Sequence, residues 1–488
     1  MWQAISMDKN ITDRLKLDSH SSVAAYIQIA GQLKTLISKG TILPSTRLTE
    51  RELAEIYGIG RSTITAAFVI LKDSGLIRTE PKKGTFVCQS VWVRFVENSM
   101  PDWHRHIKTG NYPESRQELQ RPYLGPHKKS GSSYALNEIY TPYEPLRKAY
   151  RDMAESPYLY DDMTTFDVRG SLKLRKALVS HLYASYGIKT EVDNIVLFPG
   201  YVEALSTISR AFLTQGTNLY CMQTDLVAYL PTFRSVGANI YEIPRDKQGP
   251  IPERFEKMIK HGKLNMLYIN PVNCFPTGLS YSEERLMALK DICFKHNISI
   301  IENNFLYDFW AEKPPLPMKA SDTHNQIIYI GTMATSYAYG ASIAWVVLPE
   351  MAINRLLYVK MFMHTPSNCS SELLAEKMLV NGYYKNYMDE LRPRLATALE
   401  YARSSLKKHL TGLADWEPDD ITYTTWLRLK GNVTDEMVIN ENPYYISSAK
   451  VFTGKANSVF IYTLSMTPEE YDDMAYHCAL SIKKRSGL

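Results

Sequence analysis

Cysteine is sparse: six in 488 residues, at positions 88, 221, 274, 293, 369 and 478. None belongs to a C-x-x-C pair and the spacing is wide, which argues against a zinc site or a disulfide framework. Free thiols in a reducing compartment are expected. No charged-then-apolar leader opens the chain, and no apolar run approaches the roughly eighteen residues of a membrane span. A soluble, cytoplasmic protein with no membrane partner is therefore expected. Metal-ligand spacing is also missing. His104-Arg105-His106 has no carboxylate or cysteine at a ligand spacing, so it reads as a solvated basic linker, and no metal is expected. Internal repeats and low-complexity tracts are absent. A large net charge is missing too, the formal value being +5. Its placement says more. Residues 1–90 hold twelve Lys or Arg against eight Asp or Glu, and the remainder of the chain is nearly neutral. Attraction for phosphate therefore belongs to the N-terminal part. Six of the seven tryptophans lie beyond residue 90, so the large cores are there. The length suggests two or three domains.

The stretch Arg47–Val87 carries the strongest local pattern. Leu48, Leu53, Ala54 and Tyr57 give a first helix its inward stripe. Gly58 supplies the positive φ that ends it, and Ile59 plugs the turn. A second helix buries Ile64, Ala67, Phe68 and Leu71, spaced i, i+3, i+4, i+7. Arg61, Ser62, Thr63 and Thr65 then fall at its start or on its open side, where a recognition helix enters the major groove. Ile77–Thr79 and Thr85–Val87 read as two strands joined by a turn, Pro81-Lys82-Lys83-Gly84, with two cations at its tip. A helix-turn-helix with a basic wing reads duplex DNA. A preceding helix is expected over 22–39, with Tyr26, Ala30, Leu33 and Ile37 on one face. The polar residues 1–20 are expected to fray. Residues 20–90 form the expected winged helix-turn-helix domain.

Residues 91–132 contain four prolines, a lysine pair and part of a Gly-Ser-Ser run, and read as a linker. From residue 133 to 488 helix and strand patterns alternate. Leu172–Tyr186, Glu203–Phe212 and Glu283–Asn297 read as helices. Ile195–Phe198, Asn218–Met222, Ala238–Ile243, Met266–Ile269, Ile298–Ile301, Ile327–Ile330 and Ala344–Leu348 read as short apolar strands, complete as a set. Nearly continuous apolar strands between helices predict an α/β domain with a mostly parallel sheet covered on both faces. Ligand sites in such sheets gather at the carboxyl ends of strands.

Two resemblances span essentially the whole chain. Glu50-Arg51-Glu52-Leu53-Ala54, Arg61-Ser62-Thr63 and the wing Lys83-Gly84-Thr85-Phe86-Val87 resemble the winged-helix domain of the GntR regulators. By that resemblance Arg51 touches the DNA backbone, while Lys82 and Lys83 with the Gly84 turn reach the minor groove or its phosphates. Gly60 departs from the usual serine cap, and Thr65 from a common arginine. Further on, Arg169–Arg175, Phe198–Leu205, Asn270–Gly278, Ile300–Phe305 and Tyr329–Ser336 resemble, in order, segments of fold type I aminotransferases. A GntR head followed by this domain, with large and small subdomains, is the arrangement of the MocR-type regulators.

The departures decide the expected chemistry. Pyridoxal phosphate chemistry needs a lysine for the imine and an acid on the pyridine nitrogen. Thr335 stands at the lysine position, with no lysine between Lys319 and Lys360. Asn303 stands for the aspartate, Phe305 for a tyrosine, and Ala334 and Ser342 for the serine and arginine that hold the phosphate. Leu226 lies near the position of a ring-stacking tyrosine, for which Tyr229 could substitute. Asn457–Leu464 has no arginine where many relatives clamp a substrate carboxylate. The expectation is a domain with no catalytic residues, no transamination and no covalent pyridoxal phosphate. It would serve a homodimer on double-stranded DNA. Tyr201, Asn273, Asn303, Phe305, Thr335 and Ser342 would line a neutral pocket, the candidate site for a small-molecule effector. The competing reading is a pyridoxal phosphate-dependent aminotransferase with an appended DNA-binding head.

Overall fold

The computed structural model describes residues 15–18, 21–38, 41–88, 136–164, 167–222, 230–310, 313–337, 342–363, 369–420, 422–450 and 455–486. The chain divides into two compact units, Met1–Gly110 and Asn111–Leu488. The expected linker, His104-Arg105-His106, Leu226 and Tyr229 lie outside the described residues.

In the N-terminal unit, helix α1 (Ala25–Ser38) precedes strand β1 (Arg47–Leu48), helices α2 (Glu50–Tyr57) and α3 (Arg61–Asp73), and strands β2 (Ile77–Glu80) and β3 (Gly84–Val87). Thr49 caps α2, its hydroxyl accepting from the Glu52 amide, which is why the chain turns helical there. Gly58 ends α2 at φ 66°, with its own amide on Glu55 O and that of Ile59 on Ala54 O. The chain bends by 117° from α2 to α3, within the range of a helix-turn-helix. Ile64, Ala67, Phe68 and Leu71 are all buried, as their spacing requires. Two sequence expectations change. Leu48 lies in β1 and not in the first helix, because its backbone pairs with Thr85. On α1 the buried face is Ile29, Ala30, Leu33, Leu36 and Ile37, and Tyr26 is exposed. The wing sheet is antiparallel in the order β1-β3-β2.

The larger unit is built on a seven-stranded sheet. Its strands are β4 (Ile195–Phe198), β5 (Asn218–Met222), β6 (Asn239–Ile243), β9 (Asn265–Ile269), β10 (Ser299–Asn304), β11 (Ile327–Thr332) and β12 (Ala344–Val347). A small ribbon, β7 (Arg245–Asp246) with β8 (Gly249–Pro250), follows β6. The spatial order is β4-β12-β11-β10-β9-β5-β6. Only β12 runs antiparallel to its neighbours. Alternate residues enter opposite layers. Leu197 and Trp345 join one core, while Val196, Phe198 and Val346 join the other. Helices α4 (Tyr143–Ala154), α5 (Leu159–Thr164), α6 (Leu172–Tyr186), α7 (Tyr201–Phe212), α8 (Leu230–Ser235), α9 (Pro252–Met258), α10 (Glu283–Lys295), α11 (Glu350–Met363) and α12 (Cys369–Val380) accompany it.

The set of strands was not complete at residue 348. After the long helix α13 (Tyr383–Leu410) come β13 (Ala414–Glu417), β14 (Thr424–Leu429), helix α14 (Asp435–Glu441), β15 (Ser447–Ser448), β16 (Ser458–Tyr462) and helix α15 (Pro468–Ser486). These strands form a second, antiparallel sheet, ordered β13-β14-β16-β15. They are short and separated by loops of uneven length, so no alternating run marks them in the sequence. No single helix among the described residues is long and apolar enough to cross a membrane.

Candidate nucleic-acid interface and ligand cleft

Helix α3 begins with Gly60 as its cap and no side chain bonded to its first amides. Its first turn contains no acid, and Arg61 and Ser62 are exposed there. Arg61 has no ion-pair partner among the described residues. Thr63 is half-buried, its amide closing the turn onto Gly60 O. Thr65 is exposed, and its hydroxyl donates back to Arg61 O at 3.0 Å. An open helix start with a cation beside it suits an anionic partner.

The other predicted contacts differ in how available they are. Arg51 is exposed but lies 3.2 Å from Glu55 on its own helix. On the wing, Glu80 pairs with both Lys83 (3.4 Å) and Arg78 (3.0 Å). Lys82 is exposed, holds φ 63° at the tip, and has no such partner among the described residues. Gly84 sits at φ 121°, and a β-carbon there would lie 2.7 Å from Arg47 Nε. Arg47 and Arg78 were missed by sequence reasoning. Register puts both opposite Phe86, so they flank it on the exposed face of the wing sheet. Alternation along β3 marks that face, but only strand pairing brings the two arginines together.

At the carboxyl ends of the large sheet, β4 leads into α7 through Pro199-Gly200. Gly200 caps α7 without any side-chain bond. A β-carbon added there would meet Ser342 Oγ at 2.9 Å and Glu203 Oε2 at 3.0 Å. The turn is thus furnished by the chain's own hydroxyl and carboxylate, and a phosphate placed there would face Glu203. Sequence reasoning did not single out Glu203, although an acid in the first helical turn is the expected signal. Tyr201 stacks on Phe305, ring centres 4.4 Å apart and planes 20° apart. Thr335 is buried in the turn after β11.

Asn303 is fully buried, and its Nδ2 donates to the Tyr268 hydroxyl at 3.0 Å. Its Oδ1 has no partner among the described residues. Turning the amide over would exchange the two atoms and leave the other one bare. Asn273 does different work from that expected. It occupies φ 50°, and its Nδ2 donates to Leu306 O (2.9 Å) and Phe309 O (2.6 Å). The side chain pins the 305–309 segment instead of offering its donors to a ligand. Asn270 similarly donates to Asn303 O at 2.7 Å and accepts from the Phe275 amide.

Lys360 is a buried amine that the sequence reading used only as a boundary. Its Nζ donates to Val168 O and lies 5.0 Å from the centre of the Phe198 ring. Burial pushes the ammonium down to about 8. Phe198 belongs to the layer of α7 and α11, whereas Phe305 and Ala334 belong to the opposite layer.

A winged helix-turn-helix whose second helix starts open beside an exposed arginine, on one chain with a mostly parallel α/β body, defines a two-unit fusion. The chain belongs to the aminotransferase class I and II family, which matches residues 148–476, and residues 25–87 match the bacterial regulatory proteins of the gntR family. This is the MocR-type arrangement. It is 27% identical over 415 residues to an uncharacterized HTH-type transcriptional regulator, YdfD, of Bacillus subtilis (strain 168), covering 85% of this chain and 86% of that one. It is 24% identical over 417 residues to the HTH-type transcriptional regulator NorG of Staphylococcus aureus (strain bovine RF122 / ET3-1), covering 82% and 92%. Among solved structures, the kynurenine aminotransferase of Pyrococcus horikoshii superposes with TM-score 0.69 at 20% identity, over 79% of this chain and 98% of that one. An archaeal alanine:glyoxylate aminotransferase gives 0.66 at 20%, over 75% and 93%. These two establish the fold.

Proposed function

We propose that this protein is a DNA-binding transcriptional regulator whose aminotransferase-type body has no transaminase activity. The observation that carries the first half is the open start of α3, with Arg61 exposed and no acid in its first turn. The named relatives are regulators over most of their length, which supports the same reading. One winged head buries too little surface for tight specific binding, roughly 600–1,000 Å². The body therefore pairs two heads in a homodimer, which reads two half-sites.

The second half rests on the donor set. Pyridoxal phosphate, the coenzyme this fold implies, asks for an amine, a pyridinium partner and a phosphate cradle. Thr335 is not an amine, the Asn303 amide carries no negative charge, and Gly200 faces Glu203 where a dianion would sit. The residues do not fit the coenzyme. The bare atom of Asn303 favours retention of a ligand with a polar ring or amide group, which makes the body a sensor in preference to an inert scaffold. Such a ligand would act by binding two arrangements of the dimer unequally.

Two measurements test this. Selection of duplexes from a random pool by the full chain should yield a two-part site whose affinity falls steeply with salt. Recovery of no preferred duplex would remove the regulator reading. Incubation of pure protein with pyridoxal phosphate, followed by dialysis and borohydride, should leave no labelled lysine. Labelling of any lysine, Lys360 included, would refute the second half.

A further inference from the structure

A cleft of about 690 Å³ lies between α6, residues 307–310 and the start of α13. That is the size of a site for a small molecule. His181, Tyr186, Tyr307, Trp310, Tyr384 and Arg392 are among the residues that line it.

Its polar groups are incompletely used. The guanidinium carbon of Arg392 lies 4.3 Å from the centre of the Trp310 ring. Its Nε is buried without a hydrogen-bond partner among the described residues, and its charge reaches the nearby Asp308 carboxyl through space. Asp308, also in the cleft wall, is already engaged, accepting from the hydroxyls of Tyr186 (3.1 Å) and Tyr384. His181 shares one ring nitrogen with Ser185 Oγ at 3.2 Å, and its Nε2 is buried with no partner among the described residues. Tyr186 and Tyr384 pack edge-on around that imidazole, at 5.3 and 5.5 Å. Their enclosure lowers its basicity to about 4, so near neutral pH the ring is uncharged and keeps one nitrogen to donate or accept.

We propose that this cleft binds a small planar monocarboxylate, its carboxylate on the Arg392 fork and its body among the tyrosine rings. A guanidinium stacked on an indole is held in plane and presents parallel donors that match a carboxylate. One enclosed guanidinium balances one negative charge. Arg392 also offsets part of the charge of the buried Asp308 carboxyl, and exposed Lys313 adds a cation at the rim, so the enclosed set suits a single carboxylate. Lys385 at the rim is matched to Asp389 at 2.5 Å. The aromatic lining selects a flat, apolar body.

The cleft is also wired to the turn that contains Thr335. The Tyr384 hydroxyl, which donates to Asp308, accepts from the Ala334 amide at 3.0 Å. A ligand that shifts Tyr384 therefore acts on that turn directly. This site does not depend on the regulator reading or on the fate of the coenzyme.

The test is calorimetric titration of the full chain with indole-3-carboxylate and benzoate, with indole-3-carboxamide as the neutral control. Saturable binding of a carboxylate is expected, with the carboxamide at least about tenfold weaker. Arg392→Gln should weaken the carboxylate by a similar factor. Ala184→Trp, which leaves Arg392 intact and fills the cleft mouth, should abolish binding. Both variants should keep the wild-type melting temperature in the absence of ligand. The proposal fails if neither carboxylate saturates at millimolar concentration, or if both variants bind as the wild type does.

Discussion

Helices α3 and α7 begin alike and are furnished oppositely. Each is preceded by a glycine, and neither has a side chain bonded to its first amides. The start of α3 has no acid, and an exposed arginine stands beside it. The start of α7 carries Glu203, turned back toward Gly200, with the Ser342 hydroxyl alongside. A helix start is a ready anion site, and what the neighbouring side chains add decides whether an anion is admitted. The same contrast runs through the two units. The charges of the head are exposed, so the head should respond to salt. Glu203 is exposed as well, but the body also holds fully buried carboxyls such as Glu302 and Asp308, so it should respond to pH.

The largest expected effect is on the open helix. Arg61→Ala should lower affinity for the selected duplex by roughly 1–3 kcal/mol per half-site while leaving non-specific binding largely in place. Gel shifts against specific and scrambled duplexes separate the two. Equal affinity for the specific duplex would mean that α3 does not read it.

Next in size is the response of the body to pH. Glu302 is fully buried and accepts from the amides of Met318 (2.8 Å) and Lys319 (2.9 Å) and from Asn304 Nδ2. Burial pushes its carboxyl up to about 7 against those bonds. The folded state thus holds a proton that the unfolded chain releases near its ordinary value. Stability from this group is present in full below about pH 4.5 and is lost as pH rises through 7, by about 3 kcal/mol. Glu302→Gln should flatten that part of the profile in denaturant melts taken across the range. An unchanged slope would show that another group carries it.

Tyr384→Phe comes third. It leaves the Ala334 amide and one side of the Asp308 carboxylate without a partner, and should cost about 1–3 kcal/mol in chemical denaturation. A change below about 0.5 kcal/mol would indicate that water replaces the hydroxyl.

Smaller effects sharpen the picture of the wing. Lys82→Ala should reduce the slope of log affinity against log salt by about one per head. Lys83→Ala should do less, because Glu80 already shares that charge. Glu80→Gln should strengthen binding slightly by releasing Arg78 and Lys83. If Lys83 proves the stronger of the two, the ion pairs opposite Glu80 do not survive on DNA. The smallest expected effect is none. Thr335→Lys should yield no turnover with pyridoxal phosphate and an amino donor, because Asn303, Ser342 and Glu203 are unchanged. Measurable transamination by that single variant would reverse the view of the altered site.

Much of this is legible in the sequence. Phe68 and its helical neighbours declare a buried face by spacing alone. Gly58 declares a left-handed turn because few other residues adopt that backbone without strain. The strands of the large sheet are legible for a related reason. A strand covered on both faces is apolar at most positions, and Ile195–Phe198 and Ile327–Ile330 are apolar throughout. The second sheet was not legible. Its strands β13 to β15 mix polar and apolar residues without a sustained period, and the apolar run Val459–Tyr462 of β16 has no second such run beside it to mark a sheet.

The altered site divides in the same way. The identities of Thr335, Asn303, Phe305 and Ser342 are facts of sequence, and the proposal that the coenzyme is not held there rests on them. The ring stack of Tyr201 on Phe305, the commitment of Asn273 to two carbonyls and the return of Glu203 to Gly200 required the folded chain. So did the two arginines around Phe86 and the seating of Arg392 on Trp310. Covalent composition fixes which chemical groups exist, and local periodicity fixes which face of an element is apolar. Contacts between elements depend on strand order and register, which no short stretch of chain encodes, and those contacts decided which polar groups are engaged and which remain open to a ligand.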